Sequence, residues 1–269
     1  MNVVRHVLAM GLDPLLVTRV GDDEPGRRTL DVLVRLGADP SGVQIDGERP
    51  TWRAGADGDA ACAWDGFDPE AAVRVVESTA PPLAFQTTTA ARSDGARAAL
   101  RSIRESTGVP FFVDVDLNLP WLRPGDLGTV LLGARWLRIP SHQVVEMAAI
   151  ERDADEDPEL AAAREVLRRF ALATVIVELH GIPVTVVSNR DVSKGSRPDD
   201  DLGSVHPTIR DAAAAALVAG LACSWPTSVM LQRTVKLVRL LTEAAPPERL
   251  DHLFHDFDRP VRAGEGDRP

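Results

Sequence analysis

Val109-Pro110-Phe111-Phe112-Val113-Asp114-Val115 is the stretch that decides the fold. A strand with one wet face alternates apolar and polar residues. One that stays apolar at successive positions is covered on both faces, and that pattern belongs to a parallel sheet flanked by helices. The neighbouring segments extend the reading. Before it lie a short strand at Leu83-Ala84-Phe85-Gln86 and a helix from Ser93 to Ser106, opened by a serine whose hydroxyl can cap it. After it come a strand at Trp136-Leu137-Arg138-Ile139, a helix from Ser141, and a helix from Leu160 to Leu172. Thr174 to Leu179 and Pro183 to Val187 form two further strands that the turn at Gly181 makes a hairpin. Residues 191 to 204 are a polar loop, Asp211 to Cys223 an Ala-rich helix, and Val229 to Glu243 a last helix. Upstream, Val3, Val4, Val7, Leu8 and Met10 have helical spacing with Gly11 as C-cap, Leu15 to Val20 reads as a buried strand, and a helix carrying Leu30, Leu33, Val34 and Leu36 stops at Gly37. Asp68 to Glu77 is a short helix. Alternation of this kind specifies an α/β fold, doubly wound: a central, mostly parallel sheet between helices.

Composition narrows the function classes. The chain has 269 residues and is 44% hydrophobic and 26% charged, as a globular domain should be. Its 40 acidic and 30 basic residues leave a net charge of -10, which argues against nucleic-acid partners and against docking on anionic membranes. No apolar run reaches the roughly 18 residues of a membrane span, and the first residues lack the layout of a signal peptide. Cys62 and Cys223 have no metal-ligand spacing and suit a reducing compartment, so the expected location is cytoplasmic. No linker or repeat divides the chain. Residues 1–258 are expected to form one domain, with a weakly patterned, Gly- and Asp-rich excursion at 40–66 and a flexible tail at 259–269.

Six blocks, in order, resemble the PfkB/ribokinase superfamily of carbohydrate kinases, most closely its fructokinase-like branch. Asn2-Val3-Val4 through Val20-Gly21-Asp22-Asp23-Glu24-Pro25-Gly26 is similar to the "N-V-A … G-x-V-G-x-D-x-x-G" block. Gly37-Ala38-Asp39-Pro40-Ser41-Gly42-Val43 resembles "G-V-D-T-S-x-V", and Pro50-Thr51 the "P-T" before the lid strands. Phe85 to Ser93 resembles "F-G-S-L-A-x-R-S", and Asp114 to Trp121 "D-x-N-x-R-x-P-x-W". The helix from Asp211 matches "D-A-F-x-A-G-L-L-A-G-L". The resemblance implies a ribokinase-like sandwich in which 40–66 is a reduced β lid. It implies transfer of phosphate from ATP, with Mg2+, to a sugar hydroxyl.

The roles that the resemblance carries over are these. Asp211 is the catalytic base at a helix N-terminus whose N–H groups steady the phosphoryl group. Asn2, Asp22, Asp23, Arg92, Asp114 and Asp116 lie toward the sugar. Arg138, Gln143, Glu146, Gly181, Thr208 and Arg210 lie toward the nucleotide, with Glu146 serving the metal. Helix capping is an equally sufficient reason for an aspartate at position 211.

The sequence also departs from the family pattern. Thr208-Ile209-Arg210-Asp211 stands where "G-A-G-D" is expected, so both glycines are replaced and β-branched side chains narrow the cradle. Glu178-Leu179-His180-Gly181-Ile182-Pro183 stands for "T-x-G-x-x-G", with a carboxylate that repels phosphate. Gln143 to Glu146 keeps the spacing of "N-x-x-E". Asp116 and Asn118 replace the Asn and Arg of "D-x-N-x-R", and Asp114 and Asp116 alternate along a strand end, facing opposite sides. About 30 residues, including a leading strand and a sugar-binding Asp, are missing ahead of Asn2 relative to the usual arrangement. Two readings follow: a sugar kinase with Asp211 as base, or a degenerate paralogue that binds or regulates without catalysis. Lid-mediated homodimers are implied by the resemblance, and the short lid weighs against them. The histidines, including His252 and His255, show no ligand spacing, and Trp64 and Trp121 read as core or sheet-edge aromatics.

Overall fold

The apolar run becomes the strand Phe111–Asp114, second from one end of a six-stranded sheet. The structure is a computed structural model and describes residues 2–54, 60–62, 66–119, 122, 126–148, 157–180, 182–195 and 207–243. In chain order the elements are α1 (Asn2–Ala9), β1 (Thr18–Gly21), α2 (Glu24–Leu36), β2 (Val43–Asp46), β3 (Trp52–Ala54), β4 (Ala60–Cys62), α3 (Pro69–Thr79), β5 (Ala84–Thr87), α4 (Asp94–Thr107), β6 (Phe111–Asp114), α5 (Leu127–Leu131), β7 (Ala134–Pro140), α6 (Ser141–Ala148), α7 (Pro158–Arg169), β8 (Thr174–Leu179), β9 (Ile182–Ser188), β10 (Val192–Lys194), α8 (Pro207–Ala222) and α9 (Thr227–Glu243). The sheet order is β10-β9-β8-β7-β6-β5. β5 to β8 run parallel, and β9 and β10 continue antiparallel. β1 and β2 form a separate parallel pair, and β3 and β4 an antiparallel ribbon inside the 40–66 excursion.

Two cores lie on the two faces of the sheet. Val113, Leu137, Val175 and Val177 join residues of α3, α4, α6 and α7. Phe112 and Ile176 join Val7 and Met10 together with residues of α8 and α9. Both faces are covered, as a continuous apolar run requires. α8 carries Ala212 to Ala216, all buried, and side chains this short let a helix lie close against the strands.

Local chemistry sets the helix ends. The Asp23 carboxylate accepts from Gly26 N at 2.9 Å and caps α2, the Ser93 hydroxyl caps α4 through Ala96 N at 3.1 Å, and Asp68 caps α3. Gly37 closes α2 at φ 76°. Gly26 is demanded by close approach: a Cβ there would lie 2.0 Å from the carbonyl oxygen of Gly21.

Several elements differ from the sequence reading, three of them as follows. The extended run at Leu15 pairs as a strand only from Thr18, preceded by a single bridge from Leu15 to Asp39. The polar loop at 191–204 contains β10, which is held by its register on β9. α8 begins at Pro207, four residues before Asp211, because proline at the first helical position has no N–H to lose. The expected tail, Trp64, Trp121, His252 and His255 lie outside the described residues.

Candidate functional site

Parallel strands deliver their C-terminal ends to one rim of the sheet, and ligands of open α/β folds bind there. Register brings three charged side chains onto one face at that rim. Asp114 of β6 is directly opposite Arg138 of β7, and Arg138 is opposite Ile176 of β8. Glu178 is two residues beyond Ile176 on the same face. Ile176 and Phe112 on that face pack with α8, so the charges meet the first turns of that helix.

The result is a ladder of alternating charge. Arg138 is 0% exposed and gives Nη1 to Asp114 Oδ2 at 3.1 Å and Nη2 to Glu178 Oε2 in a short ion pair. Glu178 Oε1 lies 3.5 Å from Arg210 Nη2, reaching in from α8. Glu178 is 3% exposed and Arg210 36%. Asp211 adds its field to Arg138. Burial works against the Arg138 charge, but Asp114, Glu178 and Asp211 outweigh it and hold the guanidinium firmly protonated. Asp114 is shifted toward its protonated form too, which for a carboxyl is the neutral one. Burial pushes its carboxyl above the usual range, the charges of Glu178 and Asp116 add to that, and Arg138 and Arg210 oppose it. Asp114 Oδ1 is buried with no hydrogen-bond donor among the described residues, which agrees with a carboxyl reluctant to ionise.

A second hydrogen-bonded layer braces this rim. Thr88 donates its hydroxyl to the carbonyl of Asp114 at 3.0 Å and accepts from Asp116 N at 2.9 Å. Gln143 on α6 is buried; its Oε1 accepts from Leu117 N at 2.8 Å and its Nε2 donates to Asp116 Oδ1 at 3.0 Å. Asp116 lies past the end of β6; its carboxylate meets Gln143 of α6, whereas Asp114 meets Arg138 on the face toward α8, so the two aspartates of this rim have different partners.

The remaining residues singled out from sequence are dispersed. Asp23 caps α2 and also accepts from Thr51 N at 2.8 Å, so hydrogen bonds from Thr51 and Gly26 hold its carboxyl below the usual range. Asp22 forms a surface pair with Arg27 at 2.9 Å. Asn2 opens α1, and Arg92 follows the 3-10 turn Thr88–Ala91. Glu146 is exposed on α6, on a different side from the buried Gln143. Gly181 lies outside the described residues, but its neighbour His180 takes φ 52°, so the hairpin keeps a left-handed residue where the family pattern has glycine. Thr208, Ile209 and Arg210 are in the first turn of α8, and Asp211 is inside the helix, not its cap. Ile209 is partly buried against α9 and the sheet.

Two features were missed. Sequence reading treated Glu178 as a repeller of phosphate, not as the partner of Arg138. A groove of about 600 Å³ between β10 and α9 is lined by Lys194, Lys236 and Arg239. The spacing of Lys236 and Arg239 on a helix is legible in sequence; Lys194 joins them only through β10.

These residues do not fit the phosphates of ATP. The first turn of α8 carries the side chains of Thr208, Ile209 and Arg210 where the family pattern has glycines, and the rim already sets Glu178 against its two cations, Arg138 and Arg210. Among the described residues no three His, Cys, Asp or Glu side chains converge on one point. No helix among the described residues is long and apolar enough to cross a membrane.

No family model and no curated protein matches the sequence. Solved structures do match in fold. A PfkB protein from Polaromonas sp. JS666 superposes with a TM-score of 0.68 at 16% identity, covering 91% of this chain and 85% of that one. The 2-dehydro-3-deoxygluconokinase of Thermotoga maritima gives 0.69 at 15% identity over 96% and 87%. Arabidopsis thaliana ribokinase, complexed with ribose and ATP, gives 0.67 at 14% identity over 91% and 80%. The chain therefore has the ribokinase-like fold of the carbohydrate kinases.

Proposed function

We propose that this chain is a carbohydrate-kinase-fold protein that has given up phosphoryl transfer and serves as a small-molecule-binding or regulatory protein. The observation that carries this reading is the ladder Asp114–Arg138–Glu178–Arg210. A kinase of this fold must hold polyphosphate charge with backbone N–H groups and free cations at a helix N-terminus. Here the buried cation is already paired with Glu178 and bonded to Asp114, and the second one leans on Glu178. The helix start is filled by side chains. A neutral polyhydroxyl compound is the ligand class that an acidic, hydrogen-bonding rim accommodates best, and the net charge of -10 agrees with a partner that is not nucleic acid.

A second reading, a fructokinase-like sugar kinase, is favoured by one observation. Asp211 is only half-buried, near the start of α8, close enough to Arg138 for their charges to interact. There it could take the proton of a sugar hydroxyl.

Titration calorimetry with ATP at millimolar concentration, with and without magnesium, separates the two. The expected result is no saturable heat and no ADP release with a panel of sugars. Saturable ATP binding, with sugar-dependent ADP release that Asp211→Ala abolishes, would establish the kinase instead. Glu178→Thr combined with Arg210→Gly removes one carboxylate beside Arg138 and the side chain at the helix start, and is expected to create nucleotide affinity that the parent lacks.

A further inference from the structure

A cavity of about 580 Å³ lies against β5. Its lining is apolar on both faces of the sheet: Val7 and Val218 come from α1 and α8, and Val76, Leu100 and Ile103 from α3 and α4. Leu15, Leu16 and Val17 add a further wall, and they are only half-buried, as is Phe85. Such side chains gain when an apolar ligand replaces water against them. The volume falls in the range of small-molecule sites, roughly 300–1,000 Å³.

The polar lining is sparse and unevenly placed. Asp13 and Thr87 are exposed and belong to the mouth. Gln86 is 3% exposed and leaves β5 on the face of α4. Its Oε1 accepts from Arg104 Nη2 at 2.6 Å, which fixes the orientation of the carboxamide. Its Nε2 is buried and has no acceptor among the described residues. A buried donor without a partner is costly, and an amide whose oxygen is bonded to a guanidinium is a stronger donor at its nitrogen. Arg104 is itself occupied: it also gives Nη1 to Thr129 O at 3.2 Å and Nη2 to Val130 O at 2.9 Å. No Lys, Arg or His is among the described residues that line the cavity.

We infer that this cavity binds a neutral apolar molecule carrying one carbonyl oxygen, its apolar body against the walls and its oxygen accepting from Gln86 Nε2. A carboxylate suits the site poorly, since a buried charge needs a cation in the lining and Asp13 stands at the mouth. A sugar suits it poorly too, because its several hydroxyls would meet one buried polar side chain. Asp114, Arg138, Glu178 and Arg210 do not line the cavity, so the inference is independent of the reading of the rim.

The test titrates the chain with methyl ketones from methyl pentyl to methyl octyl ketone and follows assigned methyl resonances. Saturable shifts are expected together at Val7, Val218, Leu100 and Ile103, with a downfield move of the Gln86 side-chain amide protons, while Val175 and Leu237, which do not line the cavity, stay in place. Affinity should rise about threefold to fourfold with each added CH₂. Gln86→Glu keeps the shape and an oxygen for Arg104 but replaces the donor with a second oxygen. It should weaken every ketone at least about tenfold and leave octene, which has no acceptor, unaffected. Ala222→Leu is a second variant, at a half-buried lining residue at the end of α8; by filling part of the space it should stop the gain with chain length at a shorter ketone. No saturable shift up to millimolar ketone, shifts spread equally over methyls away from the cavity, unchanged ketone affinity in a folded Gln86→Glu, or octanoate binding as tightly as methyl hexyl ketone would overturn the inference.

Discussion

Two regions of the molecule are each built around a wholly buried arginine, and they are held in different ways. At the rim, Arg138 faces two buried carboxylates across β6 and β8. At the β1 corner, Arg19 pairs with Asp46 at 2.7 Å and gives its other donors to the carbonyls of Arg49 at 2.9 Å and Pro50 at 3.2 Å. The carboxylates beside them shift in opposite directions. Asp46 is pulled down by the Glu48 N–H and by Arg49 and Arg19, against a smaller push from burial. Asp114 is pushed up, chiefly by burial. The two carboxylates are equally exposed, at 13%, so their neighbours make the difference. Backbone donors hold Asp46 as a brace for the loop that leads into β3, whereas Asp114 has a second carboxylate, Glu178, across its arginine.

The sharpest way to break this contrast is to remove each arginine. Arg138→Met leaves Asp114 and Glu178 facing each other with only the partly exposed Arg210 beside Glu178, and should cost about 3–5 kcal/mol in denaturant unfolding. Arg19→Met should cost about 1–3 kcal/mol, because Asp46 keeps Arg49 and its backbone donors and only two carbonyls lose partners. Equal losses would erase the distinction.

The smallest effect is in the pH dependence. Asp46, with its folded pKa lowered, contributes stability that is complete above about pH 4 and is lost as pH falls through the folded value. Asp46→Asn should therefore flatten the acid limb of the stability curve. Asp114, with its pKa raised, contributes stability present below about pH 4 and lost as pH rises through its folded value, so Asp114→Asn should act on the opposite side. Thermal melts from pH 2 to 7 read both.

Local signals were legible where chemistry is local. The strand at Thr174–Leu179 and the Ser93 cap follow from residue type and period alone. β10 was not legible, since Val192-Ser193-Lys194 is polar and short and becomes a strand only because β9 offers an edge. α5 was missed for a similar reason: it is five residues long and has no side-chain cap. At the rim, Asp211 and Arg210 could be placed near a helix start, but the pairing of Arg138 with Glu178 depends on the register of two strands separated in the chain by α6 and α7. Sequence could foresee that Glu178 disfavours phosphate; it could not show what the carboxylate holds instead.

The rungs of the ladder come from β6, β7, β8 and α8, so it closes only after the chain between them has docked. Charges of this kind stay hydrated until every partner has arrived, and long-range closures of this sort come late in folding. Interactions absent from the transition state slow unfolding without speeding folding. The rim thus acts as a latch: once shut, it governs how long the native protein lasts more than how quickly it forms.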